Sequence, residues 1–522
     1  MKRTLVVFLL VNLMLSACVP ASAPTPTSTP APTATPLPIA TATPTSTATP
    51  TSTPTATPTA TPTPIPTIQV GDLSVPDPRV TNPELFDLRN PDAPIPQFVN
   101  AMRIAGIEIT AEQVAQGITY EALKDKDGNA FVVVVYNLDP SLFPEQYREL
   151  AGPIPLMIAE RDKDGRWGWD EIGLNVGISD SITSLRRYKI TNPPLYYIFQ
   201  QDAKRIVIAD LFMINPYDNT FSLVTPSKEI HTSQWESVLS QLERDYTGKK
   251  FLFFHALWGH PMLIPPFLMD NSLSPKQRRD FIQKYVETVV PIIRDNQIVL
   301  VNEPFTPSWE WADKRRVLNE ILEEKPSEWI PWIFELAHKA NPSATLILNE
   351  FGIEASGSIL FDTKKADEVF NVVRKIKEKN PNIPIAVGFQ MHVNPQFQEL
   401  DPLIQGLISQ IERYKRIGVS VIVTELDIRM DGERFRNLPE EERLLIQAQY
   451  YYRIGKVCAK YGVEINLFGA SDRNSWLEET ANGGQYAELT DPTVRDENNL
   501  KKIAWFELAR CSWISNAGEC ER

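Results

Sequence analysis

Residues 298–304 read "IVLVNEP", so that four apolar residues lead directly into Asn302 and the carboxylate of Glu303. Residues 419–428 read "VSVIVTELDI" and place a second carboxylate, Glu425, inside a similar apolar stretch. A carboxylate where a buried strand leaves the core is costly unless it is paired, hydrogen-bonded or used. A single carboxylate of this kind could simply cap the end of a strand. Two carboxylates in equivalent places indicate a shared site.

Short apolar stretches of this kind alternate with amphipathic helical patterns, such as "SEWIPWIFELAHKA" at residues 327–340. The predicted strands cover residues 173–179, 221–226, 250–258, 298–304, 345–351, 385–393, 419–428 and 465–472. Eight strands, each followed by a helix, predict a (β/α)8 TIM barrel of the α/β class over residues 169–515. A doubly wound open sheet is the main alternative, and it fits less well because no glycine-rich phosphate loop follows the first strand.

Polar side chains stand at the carboxyl ends of the last six predicted strands. In chain order they are His255, Trp258 and His260, then Asn302 and Glu303, Asn349 and Glu350, Gln390 and His392, Glu425 and Asp427, and finally Asp472 and Trp476. The active site of a barrel lies at this face. We therefore expect these side chains to form one site.

The N-terminus has the features of an export signal. "MKR" is followed by the apolar stretch "LVVFLLVNLML" and by "LSAC" at residues 15–18. This order resembles a bacterial lipoprotein lipobox, in which Cys18 becomes the lipidated first residue, and an ordinary secretory signal is the alternative. We therefore expect residues 1–18 to be a signal peptide. The protein would be extracellular, tethered to the cell membrane by a lipid anchor, or else secreted.

Two further segments precede the barrel. Residues 19–68 alternate Thr, Pro, Ala and Ser and cannot bury enough apolar surface to fold, so they predict a disordered stalk. Residues 70–168 combine a helical pattern with strands around Asp-Gly turns, which predicts a small α+β domain of unknown role.

The composition limits the partners. A formal net charge of −13 argues against a nucleic-acid partner bound through its phosphates. Among 4 cysteines, Cys511 and Cys520 are close enough to close a small loop, and Cys458 is expected to be a buried thiol. No Cys/His cluster suggests a metal site. We expect a monomer without metal or organic cofactor.

The motifs "LVNEPF" at residues 300–305, "FQMHV" at 389–393 and "VIVTELDIRM" at 421–430 resemble those of glycoside hydrolase family 10. This is the endo-β-1,4-xylanase family of a clan of (β/α)8 retaining glycosidases, and the resemblance covers roughly residues 173–510. Retaining hydrolysis needs two carboxyl groups about 5–5.5 Å apart. The resemblance implies that Glu303 is the acid/base and Glu425 the nucleophile.

The resemblance also implies the roles of the surrounding side chains. Asn302 would hydrogen-bond the sugar 2-hydroxyl, and His392, supported by Asp427, would orient Glu425 and keep it ionised. The remaining predicted substrate contacts are His255, Trp258, His260, Asn349, Gln390, Trp476, which would stack on a pyranose ring, and Lys228. The alternative for His255 is a satisfied buried histidine, and for Trp476 an ordinary core residue.

Two stretches depart from the family pattern. After strand two the family shows T-P-E-N-x-M-K-W, whereas residues 225–232 read "TPSKEIHT" and place Ser227, Lys228 and His231 at the sugar-gripping positions. Residues 255–260 read "HALWGH" in place of H-T-x-x-W-H. Lys228 would pair with an acidic substituent or with a carboxylate such as Glu229.

Cleavage chemistry is therefore better supported than the identity of the polysaccharide. The leading hypothesis is a retaining endo-β-1,4-xylanase that binds xylan or a related β-glycan. The alternatives are a β-glycanase acting on another polysaccharide and a surface carbohydrate-binding protein with impaired catalysis.

Overall fold

A computed structural model describes residues 65–513, except 126–127, 210, 216–218, 261, 294–296, 306–316, 357–360 and 476–491. The predicted signal peptide with Cys18, most of the predicted stalk, Trp476 and Cys520 therefore lie outside the described residues. The first strand begins at Thr67 and therefore includes the last two residues of the predicted stalk. Within the described part of the chain, no helix is both long and apolar enough to cross a bilayer.

Residues 67–171 form the small α+β unit that the sequence predicts. Its strands are β1 (Thr67–Val70), β2 (Leu73–Pro76), β3 (Ile118–Lys124), β4 (Ala130–Leu138), β5 (Gly152–Arg161) and β6 (Trp167–Glu171). β1 pairs with β2, and β3 to β6 form an antiparallel sheet in chain order. The helices are α1 (Pro78–Thr81), α2 (Pro94–Ile104) and α3 (Ala111–Gly117), with 3₁₀ turns at Pro83–Phe86, Pro140–Leu142 and Glu145–Leu150.

Local sequence explains the turns and caps of this unit. The carboxylate of Asp162 accepts hydrogen bonds from the backbone amides of Asp164 and Arg166, and Gly165 takes the left-handed conformation that closes the β5–β6 hairpin. Thr110 and Gln113 form a reciprocal capping box at the start of α3.

Eight parallel strands then close into a barrel. They are β7 (Val176–Asp180), β8 (Ala203–Ile208), β9 (Lys250–Phe253), β11 (Gln297–Asn302), β12 (Thr345–Glu350), β13 (Ile385–Phe389), β15 (Ser420–Ile428) and β16 (Glu464–Leu467). Each pairs with the next, β9 pairs with β11, β13 with β15, and β16 pairs back with β7. The predicted (β/α)8 barrel is therefore confirmed, and the open-sheet alternative is wrong.

Helices cover the outside of the barrel. They are α4 (Ile182–Thr191), α5 (Pro193–Gln201), α6 (Ser233–Asp245), α7 (Pro266–Met269), α8 (Pro275–Val289), α9 (Val317–Leu322), α10 (Pro326–Ala340), α11 (Thr363–Lys379), α12 (Leu400–Lys415), α13 (Glu440–Tyr461) and α14 (Ile503–Trp513). Short 3₁₀ turns occupy Asn219–Phe221, Val290–Ile293 and Asp472–Asn474. The helix predicted over residues 327–340 is confirmed as α10.

The second barrel strand was misplaced by sequence reasoning. It is β8, whereas residues 221–226 lie in the following loop, where Val224 bridges Ile230 in a short hairpin. The charged pair Lys204–Arg205 interrupts the apolar pattern of β8. In the folded chain the guanidinium of Arg205 is buried and contacts Glu464 at 2.6 Å across the amino ends of the strands.

The position of β8 changes which residues stand at the end of the second strand. Ala209 directly follows β8, so Ser227, Lys228 and His231 do not stand at the end of the second strand. They lie instead at and beside the tip of the exposed hairpin, where Lys228 has a left-handed φ of 66°. The inference that they replace the sugar-gripping residues was therefore wrong in position.

The third and sixth strands are also interrupted. β9 ends at Phe253 and a two-residue strand, β10 (Leu257–Trp258), continues beyond it, while β14 (His392–Val393) continues beyond β13. Left-handed residues stand in both interruptions, with φ of 70° at His255 and 59° at Met391. Such conformations cost energy for residues other than glycine and concentrate at functional sites.

The core is continuous from the barrel shell into the small unit. The barrel interior is filled by Val207, Leu252, Phe254, Val299, Ile347, Ala386 and Ile422. A second cluster extends from the outer faces of the barrel strands through α13 and α14 to the small sheet. Phe98 packs edge-on against Phe506 at 5.1 Å, and Phe131 against Trp513 at 5.9 Å between ring centroids. α14 therefore serves both units.

Candidate active site

Glu303 stands at the carboxyl end of β11 in a strained conformation. Its φ is 48°, and its backbone amide donates to the carbonyl of Asn349 at 3.0 Å. Gln390 Nε2, which follows β13, donates to Glu303 Oε1 at 2.8 Å. The half-buried carboxylate thus accepts from a neutral amide that follows β13, on the far side of β12.

Glu425 lies within β15 and is only 4% exposed. Asn349 Nδ2 donates to its Oε1 at 2.6 Å, and His392 Nε2 lies 3.3 Å from its Oε2. Both oxygens of this buried carboxylate therefore have hydrogen-bond partners, one from an amide and one from an imidazole.

His392 connects Glu425 to a second carboxylate. Its Nδ1 lies 2.9 Å from Asp427 Oδ2. Burial disfavours the charged imidazolium, but the carboxylates of Asp427 and Glu425 outweigh burial and raise the pKa of His392 from 6.5 to about 10. His392 is therefore protonated at neutral pH and donates to both carboxylates.

Two buried asparagines complete the network. Asn349 Nδ2 donates to Asn302 Oδ1 at 2.7 Å as well as to Glu425. Asn302 Nδ2 is buried and has no hydrogen-bond partner among the described residues. An unsatisfied buried donor is costly in a folded protein. It is available to a ligand that enters beside Glu303.

His255 lies close to the two glutamates. Its Nδ1 is 3.1 Å from the carbonyl of Ala209, and its ring stacks on Phe212. Burial lowers the pKa of His255, and the negative charges of Glu425 and Glu303 oppose that shift only in part. It is thus a buried histidine with a backbone partner that also borders the carboxylates.

Glu303, Glu425, Asn302, Asn349, Gln390, His392, Asp427 and His255 therefore lie together. A sequence profile for "Glycosyl hydrolase family 10" matches residues 219–511. The chain belongs to this family. The predicted resemblance to family 10 is confirmed.

Several known proteins match the chain in part. It is 31% identical over 272 residues to "Exoglucanase XynX" of Acetivibrio thermocellus, covering 49% of this chain and 22% of the relative. It is 28% identical over 252 residues to "Endo-1,4-beta-xylanase A" of Phanerodontia chrysosporium, covering 47% and 55%. The chain therefore spans between about a fifth and just over half of the length of these relatives.

Solved family 10 structures share the fold. Xylanase 10B from Thermotoga petrophila RKU-1, in complex with xylobiose, superposes with a TM-score of 0.53 at 18% identity, over 66% of this chain and 95% of that one. Xylanase10C from Cellvibrio japonicus gives 0.53 at 18% identity, over 65% and 70%. At this identity the likeness supports the fold alone.

Two further predicted contacts of the family 10 site have partners elsewhere. His260 Nδ1 accepts from the amide of Met262 in the loop after β10. Lys228 Nζ lies 5.1 Å from the centroid of the Phe267 ring, while Glu229 pairs with His231 at 3.3 Å. Among the described residues, Glu229 is therefore paired with His231 and not with Lys228.

Trp258 and Cys458 were also singled out in the sequence. The backbone of Trp258 lies in β10 opposite Asn302, and nothing is described of its side chain. In the described part of the chain, no group of three or more His, Cys, Asp or Glu side chains is placed to hold a metal ion. Cys458 is buried, which raises the pKa of its thiol to about 12, as expected of a structural thiol.

Glu350 and Asp472 have structural partners although they follow barrel strands. The carboxylate of Glu350 is fully buried, pairs with Lys365 Nζ at 2.9 Å and accepts from the amide of Phe305. Asp472 accepts from the amide and the hydroxyl of Thr493. A carboxylate at a strand end is therefore not sufficient to identify a site residue in this barrel.

We expect Lys365→Met to lower the free energy of unfolding by about 3–5 kcal/mol, because it leaves the charge of Glu350 buried without its partner. Urea unfolding at pH 7 measures the change. Lys364→Met, at the exposed neighbouring position of α11, is the matched control and should stay within about 0.5 kcal/mol of the unsubstituted protein. Equal effects of the two substitutions would contradict the structural role of the pair.

Sequence reasoning missed two buried residues beside the site. Thr424 Oγ1 donates to Asn349 Oδ1 at 2.6 Å. Glu354 accepts from the amide of Ile353, and burial raises the pKa of its carboxyl. The signal for Thr424 was present, because it is a hydroxyl residue in an apolar strand directly before Glu425. Glu354 lies in a loop, and loops have no periodic sequence pattern that would indicate burial.

Proposed function

We propose that this protein is a retaining glycoside hydrolase that cleaves internal β-1,4-xylosidic bonds of xylan. Glu303 is the acid/base and Glu425 the nucleophile. The observation that carries the proposal is the contrast between the two carboxylates. Glu425 is buried and held by an amide donor and a protonated imidazole, whereas Glu303 is half-buried and accepts a hydrogen bond from the neutral amide of Gln390.

The reaction proceeds in two displacements. Glu425 attacks the anomeric carbon while the protonated carboxyl of Glu303 gives its proton to the departing glycosidic oxygen, which forms a covalent glycosyl-enzyme. Glu303, now ionised, takes a proton from water as the water oxygen attacks the anomeric carbon. The bond between the anomeric carbon and Glu425 breaks in the same step, which returns Glu425 to a carboxylate, and the new hemiacetal keeps the β configuration.

The surrounding residues support these steps. The imidazolium of His392 stabilises Glu425 as a carboxylate, and Asp427 balances its charge. The unpartnered Nδ2 of Asn302 donates to the sugar 2-hydroxyl, a contact that strengthens in the transition state. His255 and Gln390 border the same sugar position.

The names of the relatives support xylan as the substrate and suggest a second candidate. Several are endo-1,4-beta-xylanases, and XynX is named an exoglucanase. A β-1,4-glucan is therefore the second candidate polymer. A binding protein with impaired catalysis is disfavoured, because binding alone requires neither an ionised nucleophile nor a separate acid.

We further propose that the enzyme acts as a monomer at the outer surface of the cell. Residues 1–18 direct export and lipidation of Cys18, and residues 19–68 form a stalk that separates the barrel from the membrane. Cys18→Ala should release the protein from the membrane fraction and abolish incorporation of labelled palmitate. Unchanged membrane association would contradict the anchor.

Reducing-sugar release from xylan and from β-1,4-glucan by the mature chain tests the main proposal, with Glu425→Ala as the inactive control. Release from xylan supports the xylanase, release from glucan alone supports the second polymer, and binding without release supports the binding protein. NMR of the first-formed product distinguishes retention from inversion, and an α product would contradict the double displacement.

The raised pKa of His392 predicts a stability change at alkaline pH. The pairing contributes fully below pH about 6.5 and is lost as pH rises toward about 10, where the folded protein releases the proton. We expect urea unfolding to show decreasing stability over this window in the unsubstituted protein and a smaller decrease in His392→Gln. His231→Gln, at an exposed position, should keep the original slope. Identical slopes in all three proteins would refute the assignment.

A further inference from the structure

Thr424 lies one residue before the proposed nucleophile and is fully buried in β15. We propose that Thr424 is a positioning residue for the reaction, acting through Asn349 on both Glu425 and Asn302. The inference rests on the proposed function. It adds a role for a hydroxyl that touches neither the substrate nor either catalytic carboxylate.

The side-chain amide of Asn349 makes three hydrogen bonds, and its oxygen is bonded by Thr424. The two hydrogens of Nδ2 go to Asn302 Oδ1 at 2.7 Å and to Glu425 Oε1 at 2.6 Å. Oδ1 receives the hydroxyl of Thr424 at 2.6 Å. The carbonyl of Phe389 is the other acceptor near this hydroxyl, at 3.2 Å. The shorter distance assigns the proton to Asn349.

This arrangement fixes the direction of the amide. With Oδ1 held by the Thr424 donor, Nδ2 faces two acceptors, the carboxylate of Glu425 and the carbonyl oxygen of Asn302. The reversed amide would place its oxygen against both acceptors, and like partial charges at these distances repel. Because Asn302 Oδ1 is occupied by Asn349, its Nδ2 remains available to the sugar.

Gly388 in β13 provides the space for this amide. A Cβ at position 388 would lie 2.2 Å from Asn349 Oδ1 and 3.0 Å from Thr424 Cγ2. Glycine here therefore allows Asn349 to approach Thr424. The same side chains would be pushed apart by a single methyl group.

The test compares Thr424→Val, which keeps the shape and removes the hydroxyl, with Thr424→Ser, which keeps the hydroxyl. On an aryl β-xylobioside we expect Thr424→Val to lower kcat about tenfold with little change in KM, because the loss falls on transition-state alignment. Thr424→Ser should recover most of the rate. A loss of rate caused by a fold defect would instead be accompanied by a lowered Tm in both Thr424→Val and Thr424→Ser.

A double-substitution cycle separates action through Asn349 from a general structural effect. In the Asn349→Ala background, Thr424→Val should cause no further loss of kcat. A full tenfold loss in that background, or an unchanged kcat for Thr424→Val alone, would overturn the inference while leaving the assignments of Glu303 and Glu425 intact.

A crystal structure of Thr424→Val gives a readout that does not depend on turnover. We expect the Asn349 amide to move so that at least one bond from Nδ2, to Glu425 or to Asn302, is lost. Retention of both bonds would overturn the inference. A wild-type chain inactive on all glycosides would contradict the proposed function instead, and this structure would still decide whether Thr424 positions the amide.

Discussion

Glu425→Ala is expected to abolish glycoside hydrolysis, lowering kcat/KM by about 10⁴-fold or more on every substrate. The substitution removes the only atom proposed to attack the anomeric carbon. His392 keeps Asp427 as an acceptor and Asn349 keeps Asn302, so the chain should remain folded with a small change in Tm. Steady-state kinetics and a thermal melt measure the two effects.

Azide provides a positive test of the same variant. It fits in the space left by the carboxylate and should attack an activated aryl β-glycoside from that face, which yields an α-glycosyl azide. Glu433→Ala, at an exposed position in the loop after β15, is the matched control and should retain full activity. A Glu425→Ala protein with near-normal rates would show that another group is the nucleophile.

Glu303→Ala is expected to separate substrates by the quality of their leaving groups. On xylan, whose leaving oxygen needs a proton, kcat/KM should fall by about 10²–10⁴-fold. On an aryl glycoside with an acidic phenol, kcat/KM should fall far less, because that leaving group departs without protonation. The parameter kcat/KM reports this first step, whereas kcat also contains the later attack of water.

Glu320→Ala is the control for this series, because it removes the same carboxylate from an exposed position in α9. It should affect neither substrate. An equal loss on xylan and on the activated glycoside in Glu303→Ala would contradict a role in protonation. It would instead indicate that Glu303 only binds or orients the sugar.

The barrel was predictable because most of its strands are apolar along their whole length. β8 was the exception, since Lys204 and Arg205 occupy its amino end. Their charges are compatible with a strand because Arg205 finds Glu464 across the bottom of the barrel. That partner is more than two hundred and fifty residues away, and no local pattern indicates it.

The candidate site was predictable as a set of positions but not as a set of contacts. Strand ends identified Glu303, Glu425 and Glu350 alike, and only tertiary packing distinguishes them. Glu350 meets Lys365 from α11 in the core, whereas Glu303 remains half-buried. The role proposed for Thr424 depends on a hydrogen bond from β15 to β12 across the intervening β13, which the sequence does not show.

The helix α14 makes the small N-terminal unit hard to exchange for another domain. The family 10 match ends at residue 511 and does not include the small unit, yet Phe506 and Trp513 lie against Phe98 and Phe131 of that unit. Gene fusion or trimming at residue 169 would leave these aromatic faces in water. An exchange of the unit would therefore have to replace the outer face of α14 together with the residues that cover it.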